Sequence, residues 1–179
     1  MTFRLVPPVA GNLTDQPRHA IIRCLYGPQP ERMARRLVTD VLAGSGVIAD
    51  LPDVELAVNE LVTNARQHAP GPYELRIYRC RASVKVAVMD SGADHAELAQ
   101  KLLEAASGGM ADGASGRGLQ IVTGLFPGSW GIEPASTCTG LTPAKQIWII
   151  VARSAQARPG IASGRGAAMP DRSVAGHRP

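Results

Sequence analysis

The sequence predicts an α+β fold: a two-layer sandwich with a mostly antiparallel mixed sheet and helices on one face. The order of patterns is strand, two helices, two strands, helix, strand, strand. The longer helical patterns carry their apolar residues on one side only. The chain has 179 residues, enough for one domain with a hydrophobic core. With aromatic residues at 4%, that core must be built from Val, Leu, Ile and Ala.

Residues 1–18 are Pro-rich and polar, a loose lead-in. HAIIRCLY (19–26) reads as a strand. GPQP breaks it. Over residues 31–42, Met33, Ala34, Leu37, Val38, Val41 and Leu42 recur at helical spacing. GSG ends that helix. Asp53 is the expected N-cap of a second helix, 54–69, which APGP stops. YELRIYRC and VKVAVMD are two strands joined by a short turn at Ala82 and Ser83. A weaker helix is expected over 95–106, followed by the Gly-rich stretch SGGMADGASGRG. A short helix over 119–125 and the strands SWGIE and KQIWIIVA complete the pattern. The domain is expected to span 19–152. Residues 153–179 have few large apolar side chains and much Gly, Pro, Ala and Arg, so a disordered basic tail is expected there.

The net charge of +4 suggests nucleic acid until it is located. Arg153, Arg158, Arg165, Arg172 and Arg178 against Asp171 carry all of it. Residues 1–152 are balanced, so no phosphate-backbone footprint is expected on the globular part. Cys24, Cys80 and Cys138 form no CxxC or Cys/His cluster, which argues against a disulfide framework and a zinc site. Free thiols fit the cytoplasm. No apolar run is long enough for a signal peptide or a membrane span.

In VELAVNELVTNARQHA, the residues Val54, Val58, Leu61, Val62, Ala65 and Ala69 form one buried stripe. Glu60, Asn64 and His68 lie four apart on a neighbouring face. A solvated polar stripe accounts for Glu60, Arg66 and Gln67. It accounts less well for Asn64, a mediocre helix former, although Asn59 shares that weakness. An Asn carbonyl on a rigid helix can supply a hard oxygen to Mg²⁺ shared with nucleotide phosphates. A carboxylate one turn earlier can then accept a proton from a hydroxyl. Asp90 ends an apolar run and Gly92 follows; this is a common turn, or a carboxylate able to accept from an exocyclic amine. ASGRG occurs at residues 114–118 and again at 162–166. Only the first precedes an apolar helical segment, LQIVTGL, which can anchor glycine N–H groups for a phosphate. Neither copy is a Walker loop.

Taken together, ELVTNARQHA, VMDSGAD, SGRGLQIV, SWGIEP and KQIWIIV resemble, in order and spacing, the GHKL ATP-binding superfamily. Within it they resemble the small single-domain anti-sigma-factor serine/threonine kinases. The resemblance covers residues 19–152 and implies a Bergerat-type ATP-binding fold. It implies Glu60 as general base, Asn64 as Mg²⁺ ligand, and Asp90 with Gly92 at adenine. It assigns Gly116, Arg117, Gly118 and Leu119 to the phosphate side. His68 is expected to pack or hydrogen-bond, and Trp130 and Trp148 to be core aromatics on strands. Two departures stand out: Asp94 where the family commonly has Gly, and Ala144-Lys145 where it has Gly-Lys.

The expected activity is transfer from Mg-ATP to Ser or Thr of an anti-sigma-factor antagonist, with a sigma factor as second partner. The alternative is a non-catalytic nucleotide-binding module that regulates by contact alone, which Asp94 favours. A histidine-kinase fragment is less expected, since His19 sits in a predicted strand. Family members are often homodimers, but no interface stripe is identifiable.

Overall fold

The structure is a computed structural model that describes residues 19–43, 45–92, 114–138 and 143–153, with backbone only at 114–116. Five strands and three helices fall among these residues: β1 (His19–Leu25), α1 (Pro30–Leu42), α2 (Leu51–His68), β2 (Tyr73–Arg79), β3 (Ser83–Asp90), α3 (Ala114–Leu125), β4 (Trp130–Ser136) and β5 (Pro143–Ala152). The strands form one sheet in the order β1-β2-β3-β5-β4. Every neighbouring pair is antiparallel, so the expected mixed sheet is purely antiparallel over the described residues. The helix expected over 95–106, the second ASGRG copy, Asp94 and the tail after Arg153 lie outside the described residues.

The two-layer arrangement follows from where the apolar side chains fall. Val54, Ala57, Val58, Leu61, Val62 and Ala65 of α2 are buried along one face. They pack over Leu75 and Ile77 of β2, Val84, Val86 and Val88 of β3, and Ile147, Ile149 and Val151 of β5. These alternate along their strands, so they share one sheet face. Trp130 joins this core, as expected of a strand aromatic.

Helix α2 and its cap both begin three residues earlier than expected. Asp50 occupies the N-cap and Pro52 lies in the first turn, while Asp53 is the first-turn acid. Proline tolerates that place because its missing N–H would have no partner there, and Asp53 still faces the positive helix end. A polar seam joins α1 to α2. Glu31, Arg35 and Thr39 lie four apart on α1 and meet Arg66, Asn59 and Glu55 of α2. As α1 numbers rise α2 numbers fall, so the two helices run antiparallel.

The opposite sheet face is polar and nonetheless buried. Glu74 is 0% exposed; its Oε2 accepts from Nε (3.1 Å) and Nη2 (2.8 Å) of Arg76, and its Oε1 from the Cys138 N–H (2.8 Å). Arg76 Nη2 also donates to the Ser136 carbonyl at 2.6 Å. Burial pulls the Arg76 guanidinium down, but Glu74 and Tyr78 outweigh it and hold it above its ordinary value. Trp148 lies on this face, not in the helix-covered core, with the Lys85 ammonium 4.8 Å from its ring centroid. Its cross-strand partner is Gly131, where a Cβ would meet the indole ring. Arg153, expected at the head of the tail, is anchored instead: its guanidinium donates to the Ser45 (2.8 Å) and Cys80 (3.1 Å) carbonyls. None of the three cysteines is in a disulfide. Among the described residues no helix is long and apolar enough to cross a membrane.

Candidate functional site

Glu60 and Asn64 stand one turn apart on α2, beside its buried stripe. Asn64 is only 8% exposed, too buried for a solvated polar stripe. Glu60 is half-buried. Its Oε1 takes a long hydrogen bond, 3.4 Å, from the Asn59 amide. The Asn59 oxygen in turn accepts from Arg35 Nη1 at 2.6 Å. Asn59, which helix propensity leaves unexplained, is therefore the link between α1 and the Glu60 carboxylate. Arg35 and Asn59 were not among the site residues expected from sequence. Their only signal there is that each sits on a helix face that a paired helix could cover.

Helix α3 packs on α2 and brings its first turns to Glu60. The sequence predicts a Gly-rich loop followed by a helix from Leu119. Instead the helix already runs from Ala114, so Gly116, Arg117 and Gly118 are helical. Close approach explains this use of glycine. A Cβ at position 118 would lie 2.7 Å from Oε2 of Glu60. Glycine costs about 1 kcal/mol relative to Ala inside a helix, and here it lets two helices meet at a carboxylate. The N–H groups of the first turn of α3 have no partner within the helix and lie at its positive end. Arg117 is exposed. The Leu119 side chain belongs to the core, at 3% exposure, and its N–H lies in the second turn of α3, where the helix itself takes it.

Asp90 closes β3 and is 2% exposed. Its Oδ1 accepts from the Gly92 N–H at 2.8 Å and from Lys145 Nζ at 2.5 Å. The second contact follows from strand register, since Asp90 and Lys145 are cross-strand partners in the β3–β5 pair. Lys145 is buried with it. The sequence shows Lys145 only within Ala144-Lys145, where the resembled family has Gly-Lys, and gives it no partner, because the two residues are 55 positions apart. A Cβ at Gly92 would meet Lys145 Nζ, and would lie 2.9 Å from Asp90 Oδ1 and 3.1 Å from the Ala69 Cβ. His68, expected to pack or hydrogen-bond, is instead exposed in the last turn of α2.

Two groups of the expected residues are thus each internally connected. Glu60 meets Gly118 across the α2–α3 contact, and Asp90 meets Gly92 at the end of β3. Among the described residues no group of three or more His, Cys, Asp or Glu could hold a metal ion, so a cation at Asn64 would draw its other ligands from elsewhere.

Residues 28–128 match the sequence model of the histidine kinase-like ATPase domain. No curated protein sequence matches. Among solved structures, a mycobacterial sensor histidine kinase, MprB, aligns at 16% identity with a TM-score of 0.45, covering 69% of this chain and 95% of that one.

Proposed function

The chain belongs to the histidine kinase-like ATPase domain family, and from that premise we propose that it binds Mg-ATP and transfers its γ-phosphoryl group to Ser or Thr of a partner protein. The observation that carries this reading is the α2–α3 contact. There the first turns of α3, a helix end suited to phosphates, lie against the Glu60 carboxylate, with Asn64 one turn along. A carboxylate beside a polyanion is repulsive unless a cation stands between them. Mg²⁺ answers that requirement, and the Asn64 amide oxygen is the hard protein ligand it would take. When bound, Mg²⁺ supplies charge neutralisation to the phosphates. The first turn of α3, to which Gly116 and Arg117 belong, holds the phosphate side, and Gly118 keeps the approach to Glu60 open. Asp90 accepts from the adenine amine.

Glu60 is the base. Its carboxylate takes the proton of the partner hydroxyl as the hydroxyl oxygen bonds to γ-phosphorus and the bond to the bridging oxygen breaks, releasing ADP. Arg35 holds Asn59, and Asn59 holds Oε1 of Glu60, so Oε2 is the freer oxygen. The resemblance to anti-sigma-factor kinases names the partners: an antagonist protein carrying the acceptor hydroxyl, and a sigma factor sequestered once that antagonist leaves. A phosphate adds nearly two negative charges at the antagonist's contact surface, enough to dislodge it.

The test is Mg-ATP titration calorimetry together with transfer from labelled ATP to candidate antagonists. Asn64→Ala is expected to weaken Mg-dependent binding while the fold persists. Glu60→Gln is expected to keep binding and lower transfer by about 100-fold or more, the worth of a general base. Transfer by Glu60→Gln at the wild-type rate would remove Glu60 from the chemistry.

A further inference from the structure

We propose that Lys145 is the positioning residue for nucleobase selection, fixing the Asp90 carboxylate in one orientation so that the site prefers a base carrying an exocyclic amine. The inference rests on the ATP-binding reading above and goes one step further, to what makes the base preference. Three observations support it. Lys145 Nζ and the Gly92 N–H both bond to the same oxygen, Oδ1 of Asp90, at 2.5 and 2.8 Å. Among the described residues no bond falls on Oδ2. Both charged side chains are buried, Lys145 at 6% and Asp90 at 2%.

Lys145 Nζ and the Gly92 N–H occupy Oδ1, which leaves Oδ2 as the acceptor that faces a ligand. Two donors on one oxygen also fix the rotation of the carboxylate, so Oδ2 keeps one direction. An amine on the base satisfies such an oxygen; a base without one leaves a desolvated acceptor unpaired, which is costly. Gly92 belongs to the same device. A side chain at 92 would occupy the space of the Lys145 ammonium, so its glycine is explained by the lysine as well as by the ligand. The competing idea, that Lys145 simply blocks Asp90 until nucleotide displaces it, predicts the opposite sign for the variant below.

The experiment compares ATP with purine riboside 5′-triphosphate, which lacks the 6-amino group, by titration calorimetry with Mg²⁺. The wild type is expected to prefer ATP by about tenfold or more, the scale of one buried hydrogen bond. Lys145→Met is expected to bring the two affinities to within about threefold of each other, mainly by weakening ATP. Lys145→Arg should retain most of the preference. Gly92→Ala, which displaces the ammonium without removing it, should lower the preference in the same direction, and it decides the matter if Lys145→Met does not fold. An unchanged preference in the folded variants, or tighter ATP binding by Lys145→Met, overturns the proposal. If the wild type binds both triphosphates equally, the proposal falls while the triphosphate site stands. If it binds neither, the ATP-binding reading falls with it.

Discussion

Two buried ion pairs lie on opposite faces of the same sheet, and they are not equivalent. Glu74 and Arg76 sit on the polar face, and Glu74 has both oxygens engaged: Oε2 by the guanidinium, Oε1 by the Cys138 N–H. Arg76 spends a further donor on the Ser136 carbonyl. The pair ties β2 to the end of β4 and the residues that follow it. Asp90 and Lys145 sit at the ends of β3 and β5 on the helix side, and both bonds to Asp90 from the described residues fall on one oxygen. Burial and charge are alike; satisfaction is not. A saturated pair has nothing left to offer a ligand and acts as a fastening. A pair with one oxygen in reserve has the makings of a binding group.

The largest effect is expected from breaking the saturated pair. Glu74→Ala leaves a buried guanidinium without its carboxylate and strips an acceptor from the Cys138 N–H. A loss of about 3–5 kcal/mol is expected in urea unfolding, the usual cost of orphaning one partner of a buried pair. Arg76 is held above its ordinary value, so its contribution is present at every pH below that value and lost only above it. No workable pH removes it, and substitution is the way to test it. Replacing both residues, as Glu74→Leu with Arg76→Met, should recover most of the loss, because no charge is then left behind. A double variant as unstable as the single one would show that the apolar pair cannot fill that face.

A smaller effect is expected at the other pair. Lys145→Met leaves Asp90 with the Gly92 N–H, and a ligand-facing oxygen can take water. About 1–3 kcal/mol is expected, below the loss in Glu74→Ala. The contrast sharpens when Mg-ATP is added. A ligand that binds only the folded state raises stability in proportion to its occupancy. The wild type and Glu74→Ala should therefore gain in melting temperature on adding Mg-ATP, and Lys145→Met should gain less. Equal gains in all three would mean that the two pairs do not differ in function.

Which of these features the sequence discloses depends on how far apart the interacting residues lie. Helix periodicity alone marks Val54, Val58, Leu61, Val62 and Ala65 as the buried face of α2, and they are buried. Strand patterns place β1 to β5 within a few residues, because alternation and turn residues are local. The N-cap of α2 is Asp50 and not the expected Asp53: both are residue types suited to that place, and Pro52 between them fits the first turn of the earlier start. The Gly116–Gly118 stretch reads as a loop by composition, yet it is helical, and the close approach of Glu60 that glycine permits at 118 is a contact across 58 positions. Glu74 and Arg76 pass unnoticed because an E-x-R alternation on a strand resembles an ordinary solvated face. Lys145 needs the β3–β5 register before it has a partner. In each case the missing information is tertiary: a contact made across many residues, at a distance no local pattern encodes.

The smallest effect is expected at an exposed pair, which serves as the reference for both buried ones. Arg66 Nε lies 3.1 Å from Oε1 of Glu31, across the α1–α2 seam, with the Arg66 side chain half exposed. Water and salt already screen that attraction, and holding a long side chain in one rotamer offsets part of it. Arg66→Ala is expected to cost no more than about 1 kcal/mol, and the difference should shrink as salt is raised. Neither buried pair should respond to salt to the same extent, because buried charges are screened much less. The measurement is the urea midpoint of the three single variants at low and high salt. A salt-sensitive Glu74→Ala difference would mean that the polar face of the sheet is wetter than its burial indicates, and the contrast between the two pairs would then rest on solvent access, with bond saturation secondary.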